Sequence, residues 1–258
     1  MSEMLLTERH AQVTVLTLNR PEVRNALNAE IVDELRAALT ACESDGTRCI
    51  VITGAGGAFS SGADLRQGIG KTPDEVFQVL TDHYAPALQA IRASSWPVIA
   101  AVDGYAAGIG CDLACVCDIR LLSGRGKFAE LFIRIGLIPD GGGTYLLPRL
   151  VGLGRAFEMM LTGTDVEAEE AVRIGLASRI FPVETFMDDV IAYASVISQK
   201  SPNALRRGKA AMLAALDSSY ADALAREAAH QREILMSEDG LEGFSAFLEK
   251  RAPIWKGR

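Results

Sequence analysis

The residues best suited to chemistry in this 258-residue chain are backbone amides in three glycine-bearing loops and the carboxylates beside them. The loops are Gly54-Ala-Gly-Gly-Ala-Phe-Ser-Ser-Gly-Ala-Asp-Leu65, Asp103-Gly-Tyr-Ala-Ala-Gly-Ile-Gly-Cys-Asp112 and Gly136-Leu-Ile-Pro-Asp-Gly-Gly-Gly-Thr144. Glycine lets the main chain approach a ligand closely, and N–H groups at the start of a following helix stabilise an anion. Asp112, Glu130 and Asp140 stand in or near these loops, and carboxylates accept and return protons, whereas Asp64 and Asp118 sit beside turns or strand starts and read mainly as structural.

Familiar motifs fail when tested on these loops. Gly68-Ile-Gly-Lys-Thr72 looks like the tail of a P-loop, but the leading glycine position holds Leu65. Gly54-Ala-Gly-Gly-Ala-Phe59 departs from the dinucleotide pattern at its third glycine. Ala58-Phe-Ser-Ser-Gly62 resembles a nucleophile elbow with alanine for the first glycine, and a serine hydrolase would need His83 or His230 as its base. Cys111, Cys115 and Cys117 lack a second Cys/His cluster to complete a metal site, so no metal is expected and small buried thiols account for them better.

The elements that must position these loops alternate. Val13 to Leu18, dense in β-branched and apolar residues, reads as a strand, and so do Cys49 to Thr53, Pro97 to Val102 and Ile119 to Leu122. Asn28 is a helix N-cap before an apolar stripe at Ile31, Leu35, Leu39 and Cys42. Strands and helices interleave as far as Phe181, which argues for an α/β fold. Ser201-Pro202 then opens a helical stretch to Lys250, broken near Asp239-Gly240. The predicted boundary lies near residue 195, with a core over 1–195 and a helical region over 196–258. A composition of 49% apolar and 23% charged residues suits a globular protein, and a net charge of -7 offers no general attraction for nucleic acid or an anionic membrane. Five cysteines without paired spacing suit a reducing interior. Neither a signal peptide nor a membrane-spanning run is visible, so a cytoplasmic location is expected.

Six ordered segments resemble the crotonase (enoyl-CoA hydratase/isomerase) superfamily. They are Leu18-Asn-Arg-Pro-Glu-Val-Arg-Asn-Ala-Leu27, Ala58 to Leu65, Pro97-Val-Ile-Ala-Ala-Val-Asp-Gly104, Gly108-Ile-Gly-Cys-Asp-Leu113 with Cys117-Asp-Ile-Arg120, Gly136 to Thr144, and Phe247-Leu-Glu-Lys-Arg-Ala-Pro253. The resemblance implies a spiral of β-β-α units, C-terminal helices that assemble trimers or hexamers, and an acyl-CoA substrate with no separate cofactor. It also implies an oxyanion hole made by the N–H groups of Ala63 and Ile109, supported by Gly62, Gly108 and Gly110. Such donors contribute ~3–4 kcal/mol each when a thioester carbonyl gains negative charge. For coenzyme A the resemblance points to Arg24, Ala26, Ser61, Asp64, Leu65 and Lys250, the last from a neighbouring subunit.

The carboxylates separate the possible reactions. Hydratases of the superfamily carry two glutamates around a water, and here those positions hold Asp112 and Phe132. A phenyl ring transfers no proton, and Glu130, two residues earlier, is not the aligned position. Asp140 after Pro139 resembles the aspartate of double-bond-shifting and epoxide-opening acyl-CoA isomerases, where one carboxylate moves a proton between carbons. The isomerase reading, with Asp140 and Asp112 as the catalytic candidates, therefore leads, and enoyl-CoA hydratase is its rival. The bland alternative makes Asp140 the cap of a helix starting near Gly142. An RNA-binding relative and a serine hydrolase complete the alternatives. Gln67 to Tyr84 reads as a variable lid over the acyl pocket.

Overall fold

The apolar runs of the sequence become strands in the computed structural model, which describes residues 3–257. The strands are β1 (Leu5–His10), β2 (Val13–Leu18), β3 (Cys49–Gly54), β4 (Val98–Val102), β5 (Tyr105–Ala107), β6 (Ile119–Ser123), β7 (Lys127–Ala129), β8 (Val166–Glu167) and β9 (Arg179–Phe181). The helices are α1 (Ala29–Cys42), α2 (Pro73–Val79), α3 (Ala85–Ala93), α4 (Ile109–Val116), α5 (Gly143–Val151), α6 (Leu153–Thr162), α7 (Ala168–Arg173), α8 (Phe186–Ser198), α9 (Pro202–Ala215), α10 (Tyr220–Leu235) and α11 (Glu238–Glu249). A six-stranded sheet runs β1-β2-β3-β4-β6-β9, parallel except for the β1–β2 hairpin. The short strands β5, β7 and β8 make a second sheet.

The β-β-α repeat is visible in this order. β4 leaves the large sheet, β5 joins the small one, and α4 follows; β6, β7 and α5 repeat the step. Parallel strands covered on both faces need apolar residues at nearly every position, which is why β2, β3 and β4 read as continuous runs. Leu16, Leu18, Ile50, Ile52, Ala100 and Val102 meet α1, α3 and α4 on one face. Val13, Val15, Cys49, Val51, Ile99 and Ala101 meet Phe186, Val190 and Ala194 of α8 on the other. The sequence boundary near residue 195 thus falls inside α8, a helix that packs on the sheet. From α9 onward no helix has more than two buried residues.

Two caps expected from the sequence hold their helices: the Asn28 side chain accepts the Ile31 N–H at 2.9 Å, and Ser201 accepts that of Ala204 at 3.4 Å. The late helical break is displaced. Ser237 caps α11, so Asp239 and Gly240 lie in its first turn. There the buried Asp239 carboxylate accepts the Lys256 and Gly257 N–H groups and ties down the tail. No helix among the described residues is long and apolar enough to cross a membrane.

Arg120 on β6 is buried, and it binds the framework together. Its guanidinium donates to the carbonyls of Leu176 at 2.6 Å, Cys117 at 2.7 Å and Cys115 at 3.2 Å, joining the end of α4 to the approach to β9. Arg120→Met keeps the apolar bulk and leaves three acceptors without their donor. Denaturant titration should show a loss of at least about 3 kcal/mol, since each orphaned buried group costs ~1–3 kcal/mol.

Candidate active site

The loop after β3 is held in shape by side chains from the segment before α1. Asn25 donates to the carbonyls of Ala55 and Ala58 at 2.8 and 2.7 Å and accepts the Arg20 N–H at 2.9 Å. Arg20 pairs with Asp64 at 2.8 Å and donates to the Ala26 carbonyl at 2.6 Å. Buried Ser60 donates to the Asn25 carbonyl at 2.8 Å, and its oxygen accepts the Gly62 N–H at 3.2 Å. Ser60 also pairs with the small sheet: its N–H reaches the Tyr105 carbonyl and its carbonyl takes the Ala107 N–H, both at 2.9 Å.

This network leaves two amides over. The Leu27 N–H donates to the Gly62 carbonyl and the Asp64 N–H to the Leu27 carbonyl, each at 2.7 Å. Ala63 lies between them, and its own N–H has no acceptor among the described residues. Ile109 opens α4, where the first amides of a helix lack internal partners. The two loops abut at Gly62, whose φ is +95°. A Cβ there would stand 2.8 Å from the Ala107 carbonyl oxygen and 3.7 Å from the Ile109 nitrogen, so only glycine allows the approach.

Ala63, Gly108, Ile109 and Asp140 line one cavity of about 390 Å³. Val76, Val79, Leu80 and Tyr84 close it from the expected lid, and Leu131, Phe132, Ile135 and Leu137 form an apolar wall. That segment holds α2, begun by a capping box between Thr72 and Glu75. Tyr84 carries no sequence motif. It is buried, and its hydroxyl donates to the Leu27 carbonyl at 2.6 Å, the same oxygen that takes the Asp64 N–H. Ser61, Gly62, Asp64 and Leu65 also line the cavity. Arg24, Ala26, Gly110, Asp112 and Lys250 do not. Arg24 lies exposed beside Ser61, Ala26 is buried under Arg20, Gly110 packs on Ser60, and Lys250 ends α11.

The three carboxyl groups are placed differently. Asp140 is accessible through the cavity, and partial burial lifts its carboxyl above the ordinary range. It does not cap α5, whose N-cap is Gly142 without a side-chain bond. Asp112 is buried and accepts the Gly141 N–H on Oδ2 at 2.9 Å. Burial, then the Glu130 charge, raise it well above the usual carboxylate range. Glu130 is buried, and neither oxygen has a partner of hydrogen-bond geometry among the described residues. Burial and the Cys115 thiol push it up to about 8. The serines carry no base: Ser60 and Ser61 donate to the carbonyls of Asn25 and Val23, while His83 meets Asp33 and His230 meets Arg207.

The family model described as enoyl-CoA hydratase/isomerase matches residues 8–258. The chain belongs to the enoyl-CoA hydratase/isomerase family. It is 39% identical to the probable enoyl-CoA hydratase echA8 of Mycobacterium tuberculosis over 99% of both chains. It is 43% identical to a probable enoyl-CoA hydratase of Rhodobacter capsulatus over 95% of both. The crystal structure of a Bacillus anthracis enoyl-CoA hydratase superposes with a TM-score of 0.96 at 31% identity, covering 99% of this chain and 100% of that one. As a member of this family the chain is an acyl-CoA enzyme. Asp112 is buried away from the cavity, and Phe132 stands on its wall.

Glu130 makes stability depend on pH. Below its ordinary value of 4.5 the carboxyl is neutral in both folded and unfolded chains. Between 4.5 and about 8 the unfolded chain ionises first, so the folded state loses stability as pH rises, and the loss levels off above about 8. Glu130→Gln should remove a slope of up to about 1.4 kcal/mol per pH unit in that window. Denaturation of both proteins at pH 5, 6, 7 and 8 tests this; parallel curves contradict it.

Proposed function

We propose that the chain is an acyl-CoA isomerase. The thioester carbonyl oxygen accepts the Ala63 and Ile109 amides, and Asp140 carries a proton from one carbon of the acyl group to another. The observation that carries this reading is the sharing of one cavity wall by those two free amides and Asp140. In the forward step Asp140 takes a proton from the activated carbon, and the C–H electron pair moves into an enolate whose oxygen lies at the amides. In the second step the electrons return to carbon at the new position, and the same carboxyl gives the proton back. A carboxyl raised above its ordinary value makes Asp140 a stronger base than an unperturbed aspartate. Leu131, Phe132, Ile135 and Leu137 give the cavity beside Asp140 a largely apolar lining, with few partners for a competing water.

Enoyl-CoA hydratase is the second reading, and the names of the relatives favour it. Against it stands Phe132, which offers no group to activate water, while Glu130 is enclosed behind the cavity wall. A panel of enoyl-CoA thioesters incubated in heavy water separates the two by mass: deuterium incorporation with a shifted double bond marks the isomerase, and addition of a whole water marks the hydratase. With the substrate so found, Asp140→Asn should lower turnover by ~10²–10⁴ while leaving thermal stability and acyl-CoA binding nearly intact.

We also propose that α9 to α11 assemble the chain into a trimer or hexamer. Phe247 and Leu248 on α11 are 82% and 78% exposed, and Leu241 and Phe244 extend the same apolar surface. Light scattering at micromolar concentration should give at least three times the chain mass of 27.6 kDa. A monomer overturns this assignment.

A further inference from the structure

The oxyanion amide and the proton-moving carboxyl sit on different elements, Ile109 at the start of α4 and Asp140 in the turn before α5. Something must fix one against the other. Asp112 follows Ile109 by three residues, one turn along the same helix. Its Oδ2 accepts the Gly141 N–H at 2.9 Å. The peptide bond is planar, so holding that N–H fixes the plane that begins at the Asp140 carbonyl carbon. The fit is close. A Cβ on Gly141 would lie 2.6 Å from the Asp112 Cβ, 2.7 Å from its Oδ2 and 2.9 Å from the Ile109 Cγ1. One on Gly143 would collide with the Asp112 carboxyl. The paired glycines thus let the turn close onto Asp112, and Asp112 has no surface on the cavity.

We propose that Asp112 is a positioning residue, which clamps the Asp140–Gly141 peptide to the helix turn bearing the Ile109 amide and so sets the reach of Asp140 to the acyl carbons. This rests on Asp140 as the proton-moving group. An oxygen acceptor is all the clamp requires, so asparagine serves in place of the acid. The burial and the neighbouring Glu130 charge that hold Asp112 above the usual carboxylate range agree with a neutral acceptor.

The test uses the full-length protein, the enoyl-CoA chosen by the heavy-water panel, and a saturated acyl-CoA as a binding probe. Asp112→Ala should lower kcat by about 100-fold, the scale of a displaced catalytic group, with KM and probe Kd within about threefold. Asp112→Asn should recover at least tenfold of that loss. Asp112→Ala combined with Asp140→Asn should be no slower than Asp140→Asn alone, because the clamp acts through Asp140. A further tenfold fall in the double variant, an Asp112→Asn as slow as Asp112→Ala, or an Asp112→Ala with wild-type kcat each overturns the clamp. If Asp112→Ala does not fold, Asp112→Asn decides, and a kcat more than about 30-fold below wild type overturns the clamp. Asp140→Asn with wild-type turnover overturns the isomerase reading instead, a result distinct from all of these.

Discussion

A main-chain amide meets a ligand only where the fold denies it a partner, and the fold must do so without loosening the chain around it. Most buried N–H groups are satisfied, so a free one has to be built. Here Ala63 is framed on both sides by bonds to Leu27, and Ile109 gains its freedom from standing at the head of a helix. Arg20, Asn25 and Ser60 are the scaffolding, and each is engaged with carbonyls or amides of the loops. The parallel sheet beneath brings β3 and β4 side by side, so that the loops leaving them emerge at the same edge. The glycine at position 62 removes the last obstacle to their contact.

Electrostatics supply the second layer. Three carboxyl groups within one small region repel one another when ionised, and burial taxes each of them. The result is a gradation: Asp140 faces the cavity with its carboxyl raised by burial, while Asp112 and Glu130 lie deeper and are raised by burial and by neighbouring charge.

Much of this was legible in the residues. The long apolar strands announced themselves because both their faces are covered, and Asn28 and Ser201 marked helix starts by their own chemistry. The glycine loops and the ordered motifs led to the cavity-lining Ala63, Ile109 and Asp140. β1 was not legible, since Glu8, Arg9 and His10 look like solvent-facing loop and most of the strand is exposed at a sheet edge. The two- and three-residue strands of the small sheet are too short to show a period. Tyr84 escaped because a single tyrosine has no spacing to read; its role arises only when the chain brings it to the Leu27 carbonyl. The unpartnered state of Glu130 likewise depends on tertiary enclosure, which no local pattern records.

Lys209 of α9 is nearly buried, and its ammonium group reaches Asp118 at 2.7 Å and the Trp96 carbonyl at 2.9 Å. The same Asp118 oxygen accepts the Val98 N–H at the start of β4. The cation is thus riveted into the root of the strand whose far end delivers the second glycine loop. A chain cut after Ser198 would surrender that rivet, leaving an acid and a carbonyl at the strand root without their donor. The helical region is therefore a keystone for the sheet's central strand, not a detachable appendage.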